Sequence, residues 1–375
     1  MLLQLSEREL RFLDRVREFV AREVRPNHRS WEAQGGWPDS LWSTLTELGL
    51  LTMVVPQELG GSGVSCGCYA EAVREVAKGD GALAMNIAAL DALCAGHLVR
   101  FATPEQQALY LPKVVSGEWR MGWALTEPTA GSDARGVQTA AVPAPEDAYG
   151  PDRWYLTGTK LFITNAARAQ LLVVFARIAE KELGAFLLET GQPGYQNEVR
   201  IETTGVKASY TTGFRLEKAI GWRTPGGFSE AIGLLQRGRI GIAAMALGLA
   251  EAALETAIPY SKEREQFGRP LAQNQAIQWM LADSATEIEA ARLLIHKAAR
   301  IYDEDGEALL AASQAKLFAS EAASRVTHRM LQIFGGRGYT TEYDVEKYWR
   351  DARLCEIGEG SSEVQRIIIS RELLR

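Results

Sequence analysis

Histidine and cysteine are scarce, with four of each in 375 residues. Cys66, Cys68, Cys94 and Cys355 are too few in so long a chain for a disulfide framework, and a reducing cytoplasm is expected. The pair Cys66 and Cys68 has no histidine or second cysteine pair near it, which argues against zinc, so no metal is expected. His28, His97, His296 and His328 are scattered without a motif, and a general-base histidine finds no support. Positive charge is not in excess. The net charge is -6 and no run of Lys and Arg alternates with aromatics, so nucleic acid is not an expected partner. Long apolar runs are missing too. Ile240 to Ala250 lies between Arg239 and Glu251 and is too short to span a bilayer, and MLLQLSEREL lacks a basic segment followed by an apolar one. Neither a membrane span nor a secretory leader is expected.

What is present is a chain 46% hydrophobic and 23% charged, ordinary for a globular protein and long enough for two or three packed layers or domains. From Glu7 to about Gly117 apolar residues recur at three and four spacing (Leu10, Leu13, Val16, Val20, then Leu41, Leu45, Leu48), broken by Gly35-Gly36-Trp37-Pro38 and Gly60-Gly61-Ser62-Gly63. Between about Glu118 and Gly221 short β-branched and aromatic segments take over: Trp154 to Lys160, Leu171 to Ala176 and Ala185 to Leu188 read as strands. After Pro225 the helical period returns, and Ile277, Met280, Leu281, Ser284, Ala285, Ile288, Ala291, Ile295, Ala298 and Tyr302 share one face of a long helix. The expected domains are therefore 1-117 (α), 118-221 (β) and 222-375 (α). Wide Ala-rich faces in the last suit a helical bundle, either as internal core or as a subunit interface.

Three motifs lead nowhere. Gly63-Val64-Ser65-Cys66-Gly67 matches a nucleophile elbow, but the strand-like Leu50 to Val55 is cut off from it by Pro56-Gln57-Glu58 and no βαβ units surround it, so Ser65 reads as a loop residue. Gly61, Gly63 and Gly67 have the wrong spacing for a dinucleotide fingerprint. Ser313-Gln314-Ala315-Lys316 has S-x-x-K form inside an Ala-rich helix, where a structural role is expected.

The remaining motifs are more specific. Ala124 to Asp133 (A-L-T-E-P-T-A-G-S-D) offers backbone N–H groups and hydroxyls in a glycine turn. Gly158 to Asn165 follows, then Arg264 to Gly268, Gln332 to Tyr339, Trp349 to Arg353, and Ile357 to Arg366 (I-G-E-G-S-S-E-V-Q-R). Singly, each fits a turn, a cap or an ion pair. Taken in this order over essentially the whole chain, they resemble the acyl-CoA dehydrogenase family.

The resemblance implies an α+β fold with a helical N-terminal domain, a middle β-barrel and a C-terminal four-helix bundle. It implies non-covalent FAD, acyl-CoA as substrate, an electron-transferring flavoprotein as electron acceptor and a homo-oligomer built as a dimer of dimers. By the same resemblance Trp123, Leu125, Thr126, Gly131 and Ser132 lie along the flavin, with Ser132 also near the thioester arm, while Phe162, Ile163 and Thr164 cover the other face. Arg264, Phe267, Gln275, Gln332 and Gly336 of a neighbouring subunit hold the pyrophosphate and adenosine. Ser361 and Glu363 are assigned to the cofactor as well.

Glu359 stands where many members place the base that removes the α-proton. A weakly acidic α-hydrogen requires a close, desolvated carboxylate of raised pKa and donors for the enolate-like oxygen. The resemblance gives those donors as Glu359 N–H and a ribityl hydroxyl, with the β-hydride passing to flavin N5. Gly360 lets the backbone approach the ligand. A second branch of the family carries its base immediately before the arginine corresponding to Arg239; here that residue is Gly238, which leaves Glu359. Gln236, Arg239 and Gly358 are assigned to substrate. Gln236 replaces a frequent Asp, Lys207 a usual Arg, and Gly358 a common aromatic residue beside the acyl chain, so either a wider pocket or an unusual substrate is expected. Arg350 and Asp351 are expected to orient the turn that presents Glu359. The alternatives are a dehydrogenase or oxidase of carrier-protein thioesters, and a non-catalytic scaffold.

Overall fold

The structure, a computed structural model, describes residues 3–180 and 182–375. The N-terminal region is helical: α1 (Glu7–Phe19), α2 (Arg25–Gln34), α3 (Asp39–Leu48), α4 (Cys66–Gly79), α5 (Gly81–Ala88), α6 (Gly96–Phe101) and α7 (Pro104–Val115). Local chemistry sets several of these starts. Ser6 and Glu9 form a capping box on α1, and Thr103 and Gln106 form one on α7, each satisfying N–H groups that the first turn leaves unpaired. Ser65 is the N-cap of α4 and accepts from Cys68 N–H, so this residue of the elbow-like motif has a capping role. Leu13, Val16 and Val20 are buried as the periodicity predicts, whereas Leu10, expected on the same face, is 47% exposed. Leu50 to Val55 forms turns, not a strand, although Leu50, Leu51, Met53 and Val55 are all buried.

The strands are β1 (Met121–Ala124), β2 (Ala140–Pro143), β3 (Arg153–Thr164), β4 (Leu171–Ala179), β5 (Glu182–Glu189), β6 (Tyr195–Arg200) and β7 (Thr211–Arg223), with a short helix α8 (Glu146–Tyr149) between β2 and β3. Pairings run β4-β2-β3-β7-β5, and β5 pairs with β4 again, which closes a barrel; β1 adds in parallel beside β4 and β6 beside β7. Closure removes the free edges of the ring. A separate small core of Ala124, Leu156, Ile163, Leu172, Phe186 and Phe214 fills it.

The rest is helical: α9 (Phe228–Ile232), α10 (Leu235–Glu263), a hairpin β8 (Glu265–Gln266) and β9 (Arg269–Pro270), α11 (Gln275–Asp305), α12 (Leu309–Phe334), α13 (Val345–Leu354) and α14 (Ser362–Leu373). Helices α10, α11 and α12 pack on one another and α13 lies against α10 and α12, giving the bundle. The N-terminal α4 packs on α10 and α11, so the two helical regions share one continuous core. The segment Ile240 to Ala250 is the middle of the 29-residue α10. Both Phe228–Glu263 and Gly81–Phe101 are long and apolar enough to cross a membrane, but 83% and 89% of their most apolar stretches are buried in the fold. The Ala-rich faces of α10 and α12 are internal core. The N-terminal half of α11 is not covered, and its Trp279 is 60% exposed.

Candidate active site

The carboxylate expected to act as base is carried by the turn between α13 and α14. This turn reverses through two consecutive left-handed residues, Glu359 (φ 53°) and Gly360 (φ 92°). A non-glycine residue in that region carries strain, which persists where the surroundings hold it. Lys316 Nζ on α12 donates to Gly360 O at 2.6 Å and Gln365 Nε2 on α14 donates to the same oxygen at 2.8 Å. Gly360 is required by its φ and by Gln365, whose Nε2 would lie 2.8 Å from an added Cβ.

Glu359 as a whole is half-buried, but Oε2 is shielded from solvent and has no hydrogen-bond partner. Burial pushes this carboxyl up to about 7, against the pull of Arg239 and Lys316. Arg239 is itself buried, with Nε unpartnered, and burial lowers its pKa while Glu359 opposes that. Gly358 N–H is taken by Leu354 O, whereas no acceptor for Glu359 N–H is found among the described residues. A shielded base and a free donor thus sit on one residue, the two functions that enolate chemistry needs.

The carboxylate points at α10. A Cβ on Gly238 would stand 1.9 Å from Glu359 Oε2 and 3.1 Å from Oε1. The two positions that the resemblance offers for a base therefore lie against each other, and Gly238 leaves the room that Glu359 uses. Gly238→Ala is expected to leave the unfolding midpoint unchanged or raise it, since Ala favours a helix interior. It should cut kcat by about 10²-fold, the scale of a misplaced reacting group. Equal kcat in the variant would show that the carboxylate does not work from this position.

The two barrel segments also meet. Lys160 Nζ reaches Glu127 Oε1 at 2.7 Å and Leu125 O at 3.1 Å, and Leu161 N–H donates to Thr126 O at 3.0 Å. Glu127 also accepts from Gln138 N–H and Thr139 N–H. The Glu127 and Lys160 pair, which sequence reasoning quoted only as letters of two motifs, is the buried clasp between them. Against this clasp Trp123 and Thr126 are half-buried, Gly131 and Ser132 are exposed, and Leu125 and Thr164 are intermediate. The π-helical turn Ala89–Ala95 packs on β1, and its Cys94, pushed up chiefly by burial, also feels the charge of Glu359.

Phe162 sits in a bulge where the register of β3 on β7 shifts between Lys160 and Ile163. Its φ is 57° and its ring is 58% exposed. Ile163 corrects the expectation drawn for it: its side chain is buried in the barrel core and does not cover a ligand face. The bulge turns Phe162 outward, and alternation then points its neighbour in. Gln236 is a second correction. It is buried, and its Oε1 accepts from Ala308 N–H at 2.6 Å, tying α10 to the start of α12. Lys316, read as structural, borders the base. Arg239, assigned to substrate, lies beside Glu359.

Arg264, Phe267, Gln275, Gln332 and Gly336 are all exposed. Phe267 (φ 55°) and Gly268 (φ 75°) form the two-residue tip of the β8–β9 hairpin, a left-handed pair that suits the strand twist. The Phe267 ring is 99% exposed there. Ser361 is the N-cap residue of α14 and Glu363 is exposed in its first turn. Among the described residues no group of three or more His, Cys, Asp or Glu could hold a metal. An open cleft of about 410 Å³ lined by Tyr110, Arg153, Glu189 and Trp222 holds none of the expected site residues.

Residues 6–118, 122–219 and 226–374 match the N-terminal, middle and C-terminal domains of acyl-CoA dehydrogenase. The chain is 39% identical to a probable acyl-CoA dehydrogenase of Bacillus subtilis over 100% of both chains. It is 38% identical to the human mitochondrial short-chain specific acyl-CoA dehydrogenase, covering 100% of this chain and 92% of that one. Among solved structures, butyryl-CoA dehydrogenase from Megasphaera elsdenii superposes with a TM-score of 0.94 at 36% identity, covering 100% of each chain. A chain from a study of the electron transferring flavoprotein of Acidaminococcus fermentans gives 0.94 at 38%, again over 100% of both. A glutaryl-CoA dehydrogenase from Mycobacterium smegmatis in complex with FADH2 gives 0.92 at 28%, over 98% of this chain and 95% of that one. Helical, barrel and helical domains in this order, matched along nearly their whole length, establish that the chain belongs to the acyl-CoA dehydrogenase family of oxidoreductases.

Proposed function

We propose that the protein converts a saturated acyl-CoA thioester to the trans-2-enoyl-CoA, with Glu359 as the base that takes the α-proton. The observation that carries this reading is the Glu359 carboxyl, shielded at Oε2 and raised to about 7 by burial. A carboxylate poised near neutral pH is ionised enough to accept a proton and basic enough to hold it. Its own free N–H is the chain's donor for the thioester oxygen as negative charge grows there. Arg239 and Lys316, the charges nearest Glu359, keep it from being protonated altogether.

The residues present fit FAD. Trp123 Nε1 is shielded and unpartnered, no heavy atom lies within 4 Å of where a Cβ of Gly131 would stand, and Phe162 holds an apolar ring outward on a strained backbone. Trp123, Leu125, Thr126, Gly131, Ser132, Phe162 and Thr164 would hold the ring system, with Ile163 contributing backbone only. Bound there, FAD supplies the acceptor for the β-hydride. The exposed Phe267, Arg264, Gln275, Gln332 and Gly336 suit the cofactor's other end on a second copy of the chain, which makes a homo-oligomer the working form. Likeness to the Acidaminococcus chain supports an electron-transferring flavoprotein as the acceptor.

Gly358 gives room beside the base. The atoms nearest an added Cβ belong to Leu354, at 3.6 Å and beyond, so the small residue widens the site without being demanded by packing. The test is anaerobic titration of the yellow protein with straight, branched and aromatic acyl-CoA thioesters. Bleaching of the flavin band by at least one saturated member is expected, with branched chains accepted beside short straight ones. A yellow protein that no thioester bleaches would overturn the reading.

A further inference from the structure

Lys316 lies on α12, 43 residues before the base in the chain, and no family motif used above includes it. Its side chain is wholly buried at 0% exposure, and it donates to Gly360 O at 2.6 Å. That oxygen belongs to the residue after Glu359, in the turn where both residues are left-handed. Gln365 Nε2 approaches Gly360 O at 2.8 Å and Glu359 O at 3.4 Å, so two donors fix the orientation of these peptides. Burying an ammonium is costly unless it is paired. Among the described residues no carboxylate lies within ion-pair distance of Lys316, and its hydrogen bond is to a carbonyl.

We infer that Lys316 is a positioning residue for Glu359: it clamps the left-handed turn through Gly360 O and sets the electrostatic field in which the carboxylate ionises. This rests on Glu359 being the base. The groups that face Lys316 are Cys355, Glu359 and Glu356 from the α13–α14 turn and Arg239 from α10. Cys355 is buried and burial pushes its thiol up to about 12, so it carries no charge at neutral pH. Glu356 is engaged by Ser324 and Arg353. Glu359 is left as the carboxylate without a partner, and its charge is balanced by Arg239 and Lys316. Tyr69 and Cys94 also sense Glu359, but burial keeps both protonated. Burial pulls Lys316 down to about 8, which leaves it protonated in the range where Glu359 titrates.

Removing the charge takes away one of two cations that favour ionised Glu359, so the pKa of Glu359 rises and activity is lost from the acid side. The experiment follows protonated Glu359 in the FAD-bound oligomer by its infrared carboxyl band, identified as the band missing in Glu359→Gln. In Lys316→Met the midpoint is expected about half a unit or more above the parent value, in the direction set by loss of a nearby opposite charge. The acid limb of kcat/KM should move by the same amount. Lys316→Gln, which keeps a donor but no charge, should show the midpoint shift with a smaller fall in kcat, and Lys316→Arg should restore the parent midpoint. If Lys316→Met does not assemble, the Gln and Arg variants carry the comparison. An unchanged midpoint in Lys316→Gln, or a parent kcat in Lys316→Met, overturns the inference. Failure of the base assignment would show separately, as full activity in Glu359→Gln.

Discussion

Glu359→Gln is expected to lower kcat by between about 10² and 10⁴-fold, the range that positioned proton transfer contributes. FAD binding and the unfolding midpoint should stay near the parent values. Glutamine keeps the shape and the backbone N–H but cannot accept the proton, and the left-handed turn remains clamped by Lys316 and Gln365. In the parent, the carboxyl is raised to about 7. Below that pH it is protonated and inactive; above it, it is ionised and competent. Consequently kcat/KM should climb through about 7 and level off on the alkaline side. A stopped-flow record of flavin bleaching across pH reads both results. A variant that bleaches at the parent rate would move the base elsewhere, and Gly238, which lacks a side chain, could not supply it.

The second large effect concerns stability. Asp351→Ala is expected to cost about 3–5 kcal/mol, the scale of leaving a buried charge partly unpaired. Lys347 Nζ lies 2.5 Å from Asp351 Oδ2 and 3.2 Å from Asp80 Oδ2, all three residues being at most 1% exposed. Burial works against the ammonium, but the two carboxylates hold its pKa well above the ordinary lysine value. Asp80 caps α5 through Leu83 N–H, and Asp351 Oδ1 accepts from Val206 N–H at 2.6 Å. Val206 has φ 48°, a strained state for a β-branched residue that needs such support. One buried triad therefore joins the N-terminal helices, the segment between β6 and β7, and the helix that precedes the Glu359 turn. Denaturant unfolding of the variant reads the loss, and release of flavin at lower denaturant should accompany it. A midpoint within about 1 kcal/mol of the parent would mean that Asp80 alone suffices for Lys347.

Much of the site was legible because the family's motifs keep its cofactor and base residues in short runs. The E-G-S-S-E run placed Glu359, and Gly238 before Arg239 removed the competing position. Expectations failed where a side chain's direction depends on something that spacing does not encode. Ile163 was assigned to a ligand face by resemblance, together with Phe162 and Thr164, but a bulge in β3 sends the Phe162 side chain out and that of Ile163 into the barrel. Gln236 was placed at the substrate by its neighbourhood in the chain, yet packing of α10 on α12 gives its oxygen to Ala308. Lys316 showed the reverse. Its S-x-x-K setting looked like ordinary helix, and only the fold reveals that the helix runs beneath the Glu359 turn.

The sequence alone determined the order of helical, β and helical regions, because apolar periods of 3.6 and 2 are local properties of a chain. Its motifs, by resemblance, pointed to Glu359 as the base proposed here. The tertiary structure decided that Glu359 fills the space above Gly238, that Lys316 and Gln365 grip its turn, and that Asp351 shares Lys347 with Asp80. Each of these contacts joins elements brought together by barrel closure and helix packing, so its geometry and its desolvation, the source of the raised carboxyl, exist only once the chain has folded.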